Sequence, residues 1–257
     1  MTDSPSLPAL NSSPAPPRFA SSRGTPHSSF AWGCRTHPAV RSVFAALHGT
    51  DELCVGLDNV FWQAADAAAA TANKEWLHCD QNHATGLTWP IVQGVLYVWP
   101  SDRPRASTTV VWPGSHKTEI YGRVMADPRA AQLGENSWGQ LIKLNTLQEG
   151  DGKDLHAAAI AGSRRVPAPP GSMLLWDSRT IHQGWTGGPR LAQPVCWEPR
   201  ERRDQQALRR KIWMCATGCG SSHSSTEGRV HAMAPKNPGE KLPGSTGAEP
   251  LRLPLRE

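Results

Sequence analysis

Two histidines and one acid stand out by type and spacing. His78-Cys79-Asp80 sets an imidazole and a carboxylate two residues apart, and His182 closes the run that begins at Gly171-Ser172-Met173. Two imidazoles and one carboxylate make a facial metal site, which binds Fe(II) through three protein atoms and leaves neighbouring positions open for a cosubstrate and O2. The chemistry implied is oxidation by O2. Trp76 to Asp80 reads as a short strand, so alternation puts His78 and Asp80 on one face and Cys79 on the other. A His-x-Asp tripeptide alone is weak, and the surrounding elements must carry the assignment.

Those elements are mostly strands. A helix opens at Thr36-His37-Pro38 and carries Val40, Val43, Phe44 and Leu47 at helical spacing until Gly49 stops it. Leu53–Leu57 reads as a strand, and residues 64–72 as either a short helix or an alanine-rich loop. Ile91 to Trp99 and Thr108 to Trp112 read as two strands forming a hairpin, followed by the Pro113-Gly114 turn and a polar middle with Trp138 and Leu141. Pro169-Pro170-Gly171 turns the chain into a buried strand over Ser172–Asp177. Leu191–Trp197 is a further strand, and residues 202–214 read as a helix with Leu208, Ile212 and Met214 as its apolar stripe. Many short strands with Gly/Pro turns predict a mainly β, double-sheet barrel with flanking helices.

The chain of 257 residues is long enough for one substantial core. Residues 1–29, rich in Ser, Pro and Ala, read as a disordered segment, 30–217 as the domain and 218–257 as an irregular tail. No apolar run reaches transmembrane length and no secretory signal is evident, so a cytoplasmic location is expected, with organellar targeting by the N-terminal segment as the other option. The six cysteines are scattered and read as free thiols; Cys215, Cys219 and His223 lack a fourth ligand for zinc. The net charge is +5, and most of it comes from Arg200–Lys211, six cations against Glu201 and Asp204. This run reads as a solvated helix face, so neither nucleic acid nor membrane is expected as a partner.

Taken in order, the motifs resemble the phytanoyl-CoA dioxygenase family of Fe(II)/2-oxoglutarate oxygenases over roughly Trp32 to Met214. They are Leu77-His-Cys-Asp-Gln81, the Gln93-Gly-Val-Leu-Tyr97 strand, the Pro113-Gly-Ser-His116 turn, and Gly171-Ser-Met-Leu-Leu-Trp-Asp177 with His182. The resemblance implies a double-stranded β-helix, a cupin-like jelly roll, holding Fe(II) through His78, Asp80 and His182. It also implies 2-oxoglutarate as a cofactor, O2 and a small organic molecule as substrates, and hydroxylation with release of succinate and CO2.

In that family a basic residue soon after the distal histidine pairs with the far carboxylate of 2-oxoglutarate. Arg190 lies eight positions after His182 and is the cation in place; its guanidinium can donate two parallel hydrogen bonds to a carboxylate. Gln93 either touches 2-oxoglutarate or satisfies backbone groups inside the barrel. Gln81, Arg179, Gln183 and Trp185 are candidate substrate contacts. His116 reads as a turn residue, Asp177 as a turn cap, and most of Trp62, Trp89, Trp99, Trp112, Trp176 and Trp185 as core. Two other functions use the same ligands: a non-catalytic jelly-roll binding or sensing module, and a cupin-like metal enzyme that ignores 2-oxoglutarate.

Overall fold

The computed structural model describes residues 25–63, 76–83, 89–104, 106–135, 142–147, 150–185, 187–203, 205–217 and 220. The first described elements fall partly within the segment that the sequence reads as disordered. Thr25–His27 form a 3-10 turn, and the Ser28 side chain accepts a hydrogen bond from the Ala31 amide to start helix α1 (Ser29–Thr36). Pro26 is buried, and its carbonyl accepts from the wholly buried Arg35, which explains why a Ser/Pro-rich stretch is anchored here. Helix α2 (Pro38–His48) starts on its proline and ends at Gly49, whose φ of 66° is the left-handed conformation that favours glycine. Val40 and Phe44 are buried, but Leu47 is exposed, so the apolar stripe is shorter than its spacing suggests.

Eleven strands follow among the described residues: β1 (Leu53–Val55), β2 (Phe61–Gln63), β3 (His78–Cys79), β4 (Val92–Tyr97), β5 (Thr108–Val111), β6 (Ile142–Lys143), β7 (Arg164–Val166), β8 (Met173–Asp177), β9 (His182–Trp185), β10 (Arg190–Val195) and β11 (Trp197–Pro199). They form one sheet of order β2-β10-β4-β8, one of order β6-β3-β9-β5-β7, and a β1-β11 ribbon. Every pairing is antiparallel. Successive strands pass between the two main sheets, from β2 to β3 to β4 to β5 and again from β7 to β8 to β9 to β10. That order defines a double-stranded β-helix, so the fold is a mainly β jelly roll with flanking helices.

The β4–β5 hairpin expected from the sequence does not form. β4 lies between β10 and β8, whereas β5 lies between β9 and β7 in the opposite sheet. The intervening segment crosses the barrel instead of turning back, and Tyr97 and Thr109 meet across the interior with their hydroxyls 2.7 Å apart. β8 is half-buried throughout and not a fully buried strand.

Strand alternation divides the core. Val92, Leu96, Met173 and Leu175 point outward from the four-stranded sheet onto Val40, Phe44, Val195 and Trp197. Phe61, Val95, Tyr97, Leu174, Trp176 and Ala192 fill the interior. Gly94 is where α2 comes nearest β4: a Cβ there would lie 2.9 Å from the Val195 carbonyl and 3.2 Å from Phe44. The polar middle of the sequence contains helices α3 (Thr118–Ala126), α4 (Pro128–Glu135) and α5 (Gly150–Gly162), which pack Tyr121, Val124, Ala130, Leu155 and Ala159 against Leu77, Cys79, Ile142 and Ile181 of the five-stranded sheet. α4 and α5 pack only two apolar residues each into this layer and α3 four, Ile120, Tyr121, Val124 and Met125, short stripes for the pattern to declare a helix. Trp138, Leu141 and residues 64–72 lie outside the described residues.

Helix α6 (Gln205–Thr217) corrects the reading of the basic run. Its inward face is Ala207, Lys211 and Met214, whereas Ile212 is exposed. Lys211 donates to the Val55 carbonyl and Arg203 pairs with buried Glu198, so two of the six cations are internal struts. Among the described residues Cys34, Cys54, Cys79, Cys196 and Cys215 are free thiols, and no helix is long and apolar enough to cross a membrane. Cys219 and His223 lie outside the described residues.

Candidate metal centre

The site is built on one rung of the five-stranded sheet. β3 and β9 run antiparallel with His78 directly opposite His182, so both imidazoles leave the same face of the sheet and enter the barrel. Their ring centroids are 4.4 Å apart. Cys79, between the ligand candidates in sequence, points the other way into the helix-covered core, where burial raises its thiol pKa far above the usual range. Asp80 lies just beyond the strand, which is shorter than the sequence suggests; its amide donates to the Ser178 carbonyl at 3.0 Å, which holds the chain after β3 against the β8–β9 turn.

His78 Nε2 lies 3.4 Å from one Asp80 oxygen, and His182 Nε2 lies 3.2 Å from the other. One potential ligand atom from each residue falls within 4.8 Å of the others, and all three residues are buried. The opposite ring nitrogens are committed: His78 Nδ1 is 2.9 Å from the Trp76 carbonyl and His182 Nδ1 is 2.8 Å from the Thr180 carbonyl. A carbonyl only accepts, so each Nδ1 carries a hydrogen, and Nε2 is the ring atom each histidine turns toward the cluster. Burial, and then the neighbouring His182 ring, push His78 below the usual histidine range, against the opposing pull of Asp80. Two imidazoles and a carboxylate with oriented outer partners are a donor set that fits a first-row divalent metal.

Gln93 enters from the opposite sheet. It is 1% exposed, its Nε2 donates to Asp80 Oδ2 at 3.0 Å, and its Oε1 has no hydrogen-bond partner. Trp176, directly across the β4–β8 ladder from Gln93, lies 5.2 Å from the His182 ring. Trp76 stacks on His78 at 4.5 Å with its ring nearly parallel, donates its amide to Gln183 Oε1, and reaches the Gly184 carbonyl through Nε1. Sequence reasoning passed over Trp76. The signal was its place two residues before His78, hence on the same strand face.

Arg190, at the start of β10, carries its guanidinium over Phe61 at 4.4 Å and over Tyr97 at 5.3 Å. Its Nη2 donates to the Tyr97 hydroxyl at 3.2 Å and lies 3.5 Å from Thr109 Oγ1; its Nε is enclosed and unpartnered. The residue as a whole is only half-buried. Burial lowers its pKa from the ordinary guanidinium value while Tyr97 opposes the shift, and no carboxylate pairs with it among the described residues. Gly184, two residues beyond His182 on β9, leaves space there: a Cβ would stand 3.5 Å from Trp76 and 3.8 Å from Arg190. A half-buried cation with no anion among the described residues, beside space left by a glycine, fits an anionic cosubstrate next to the metal cluster.

The remaining candidates divide. Gln81 is wholly buried, with Nε2 on the Trp89 carbonyl and Oε1 receiving the Ser178 hydroxyl, so it braces the loop after Asp80. Gln183 is buried on the Trp76 amide. Arg179 is held by Asp177 through Nε at 2.8 Å and lies over Tyr121, and Asp177 also caps the Arg179 amide, as a turn residue would. Trp185 is half-buried, with Arg165 over its ring. In the Pro113–His116 turn it is Ser115, not His116, that makes the side-chain bonds, to the Trp112 carbonyl and from the Ile181 amide.

No protein-family model matches the chain. It is 29% identical over 194 residues to Ava biosynthesis cluster protein O of Aspergillus versicolor, an alignment covering 73% of this chain and 60% of that protein. Similar solved structures include the epimerase SnoN in complex with Fe3+, alpha ketoglutarate and nogalamycin RO (19% identity, 90% of this chain and 72% of that one, TM-score 0.43). Others are HygX from Streptomyces hygroscopicus with nickel, 2-oxoglutarate and hygromycin B bound (14%, 68% and 67%, TM-score 0.42) and apo EctD from S. alaskensis (14%, 70% and 56%, TM-score 0.43). The chain thus spans 60% of the curated relative's length and a little over half of EctD.

Proposed function

We propose that the chain is an Fe(II)- and 2-oxoglutarate-dependent dioxygenase that hydroxylates a small organic molecule. The observation that carries this reading is the convergence of His78 Nε2, His182 Nε2 and Asp80 inside the barrel, with both Nδ1 atoms already donated to backbone carbonyls. Such a facial triad is the donor set of non-haem Fe(II) oxygenases. When bound, the iron and 2-oxoglutarate supply the oxidation: one O2 converts 2-oxoglutarate to succinate and CO2 and leaves one oxygen atom on the substrate.

The chain's own residues bind, orient and exclude water. His78, Asp80 and His182 would hold the metal, and Arg190 would take the far carboxylate of 2-oxoglutarate with its fork fixed by Tyr97 and Phe61. Phe61, Val95, Leu174 and Ala192 keep the barrel interior apolar, which strengthens the arginine–carboxylate attraction and guards against uncoupled reaction with water. The Aspergillus relative's name assigns it to a biosynthesis cluster, which favours a biosynthetic intermediate as substrate here.

The test is an anaerobic titration of 2-oxoglutarate into the Fe(II)-loaded protein, following the visible metal-to-ligand charge-transfer band. The reading expects a band that disappears in His182→Ala and needs much more 2-oxoglutarate in Arg190→Ala. Bound iron with no band at any 2-oxoglutarate concentration would overturn the cosubstrate assignment.

A further inference from the structure

The Gln93 side chain makes a single hydrogen bond, and its partner is a ligand candidate. The side chain crosses the barrel from β4 to reach Asp80 on the opposite sheet, with Nε2 3.0 Å from Oδ2. Nothing else explains its position: it is 1% exposed, it contacts no backbone carbonyl within hydrogen-bonding distance, and its Oε1 is left without a partner. Burying an amide that satisfies only one end is unfavourable unless that one bond matters or a donor arrives later. The neighbouring residue keeps the strand from shifting, because Gly94 is closed in by Val195, Leu175 and Phe44.

Resting on the metal-centre reading above, we infer that Gln93 is a positioning residue that reserves Asp80 Oδ2 and so restricts Asp80 to binding the metal through Oδ1. A carboxylate free at both oxygens can close on a metal in a two-point chelate and occupy two coordination positions. A carboxylate whose second oxygen accepts an amide hydrogen has one of that oxygen's lone pairs taken and is biased toward occupying one, even though Oδ2 also lies 3.2 Å from His182 Nε2. The second position is the one that cosubstrate or O2 needs, so Gln93 acts on the openness of the site through Asp80 without itself touching the reacting atoms. The unpartnered Oε1 is then free to accept from a water or hydroxyl held beside the metal.

The experiment uses Co(II) as the probe on the full chain, comparing wild type with Gln93→Met, which keeps length but cannot donate. The visible bands of Co(II) weaken as its coordination number rises. Wild type is expected to bind Co(II) at one site, and Gln93→Met to show weaker bands as Asp80 closes through both oxygens, with an affinity change of about tenfold. Gln93→Glu serves as the second variant if Met disturbs folding by circular dichroism: it keeps the shape but sets a carboxylate against Asp80 and is expected to weaken Co(II) binding further. Wild-type bands in both variants, whatever the affinity, overturn the inference. A wild-type chain that binds no Co(II), with His182→Ala indistinguishable from it, overturns the metal centre itself.

Discussion

The Arg190 guanidinium lies over Phe61 and Tyr97 with an unpartnered Nε and, among the described residues, no carboxylate beside it, an arrangement that costs the ligand-free fold. A half-buried charge held by two hydroxyls and ring faces recovers part of its desolvation cost, and an unmet buried donor costs about 1–3 kcal/mol. Strain of this kind persists where function needs it. Arg190→Met, which fills similar volume without a charge, is therefore expected to raise the stability of the ligand-free protein by about 1 kcal/mol in urea denaturation. The same substitution is expected to remove any stabilisation by 2-oxoglutarate. Loss of stability in Arg190→Met would instead make Arg190 a strut of the barrel, valued for its bonds to Tyr97 and Thr109.

Helix α6 and the β1–β11 ribbon are joined by Lys211, whose ammonium is buried against the Val55 carbonyl. Burial, reinforced by Arg203, lowers its pKa from the model-compound value of 10.5 to about 8. Between those values the unfolded chain holds a proton that the folded chain has released, so wild-type stability rises with pH across that window. Below pH 8 both states are protonated and the cost of burying the ammonium is present in full. Measured against Lys211→Met, wild-type stability should therefore gain about 3 kcal/mol from pH 8 to pH 10.5, with the difference flat below pH 8. A pH-independent difference would mean that the ammonium is not desolvated. Sequence periodicity put Leu208 and Ile212 on this helix's inner face, because it scores side chains by polarity and cannot see that the lysine's methylene stem packs inward. The same limit hid α3, α4 and α5, whose apolar stripes are short. The grouping of the three candidate ligands was suggested by strand alternation from Trp76 to Asp80, but β3 stops at Cys79, and it is the Asp80 amide bond to the Ser178 carbonyl that holds the carboxylate beside the histidines. The sheet order was not legible: β4 and β5 are close in sequence with a turn-rich link, and only the long-range partners β8, β10, β7 and β9 decide that the link crosses the barrel.

At the scale of the whole molecule, the candidate ligands tie together segments far apart in the chain through a weakly laddered strand. β3 has two residues, one paired register to β9 and two to β6, so few backbone bonds hold His78 and Asp80 in place. β4, by contrast, is paired along both edges over most of its length. A metal held by β3 and β9 together would be a cross-link between residues 78–80 and 182, and any ligand that binds only the folded state stabilises it by mass action. At a free metal concentration of one hundred times Kd the gain is about 2.7 kcal/mol. For a chain of this size that raises the melting temperature by about 5–10 °C. The gain should be abolished by a chelator and absent in His182→Ala. It should also be uneven: hydrogen exchange at the Asp80 amide, which donates to Ser178, is expected to slow on adding metal far more than exchange at Val95 in the middle of β4. Equal slowing at both amides would mean that β3 opens only when the entire jelly roll unfolds, and the short strand would then owe its stability to the α3–α5 layer packed behind Leu77 and Cys79.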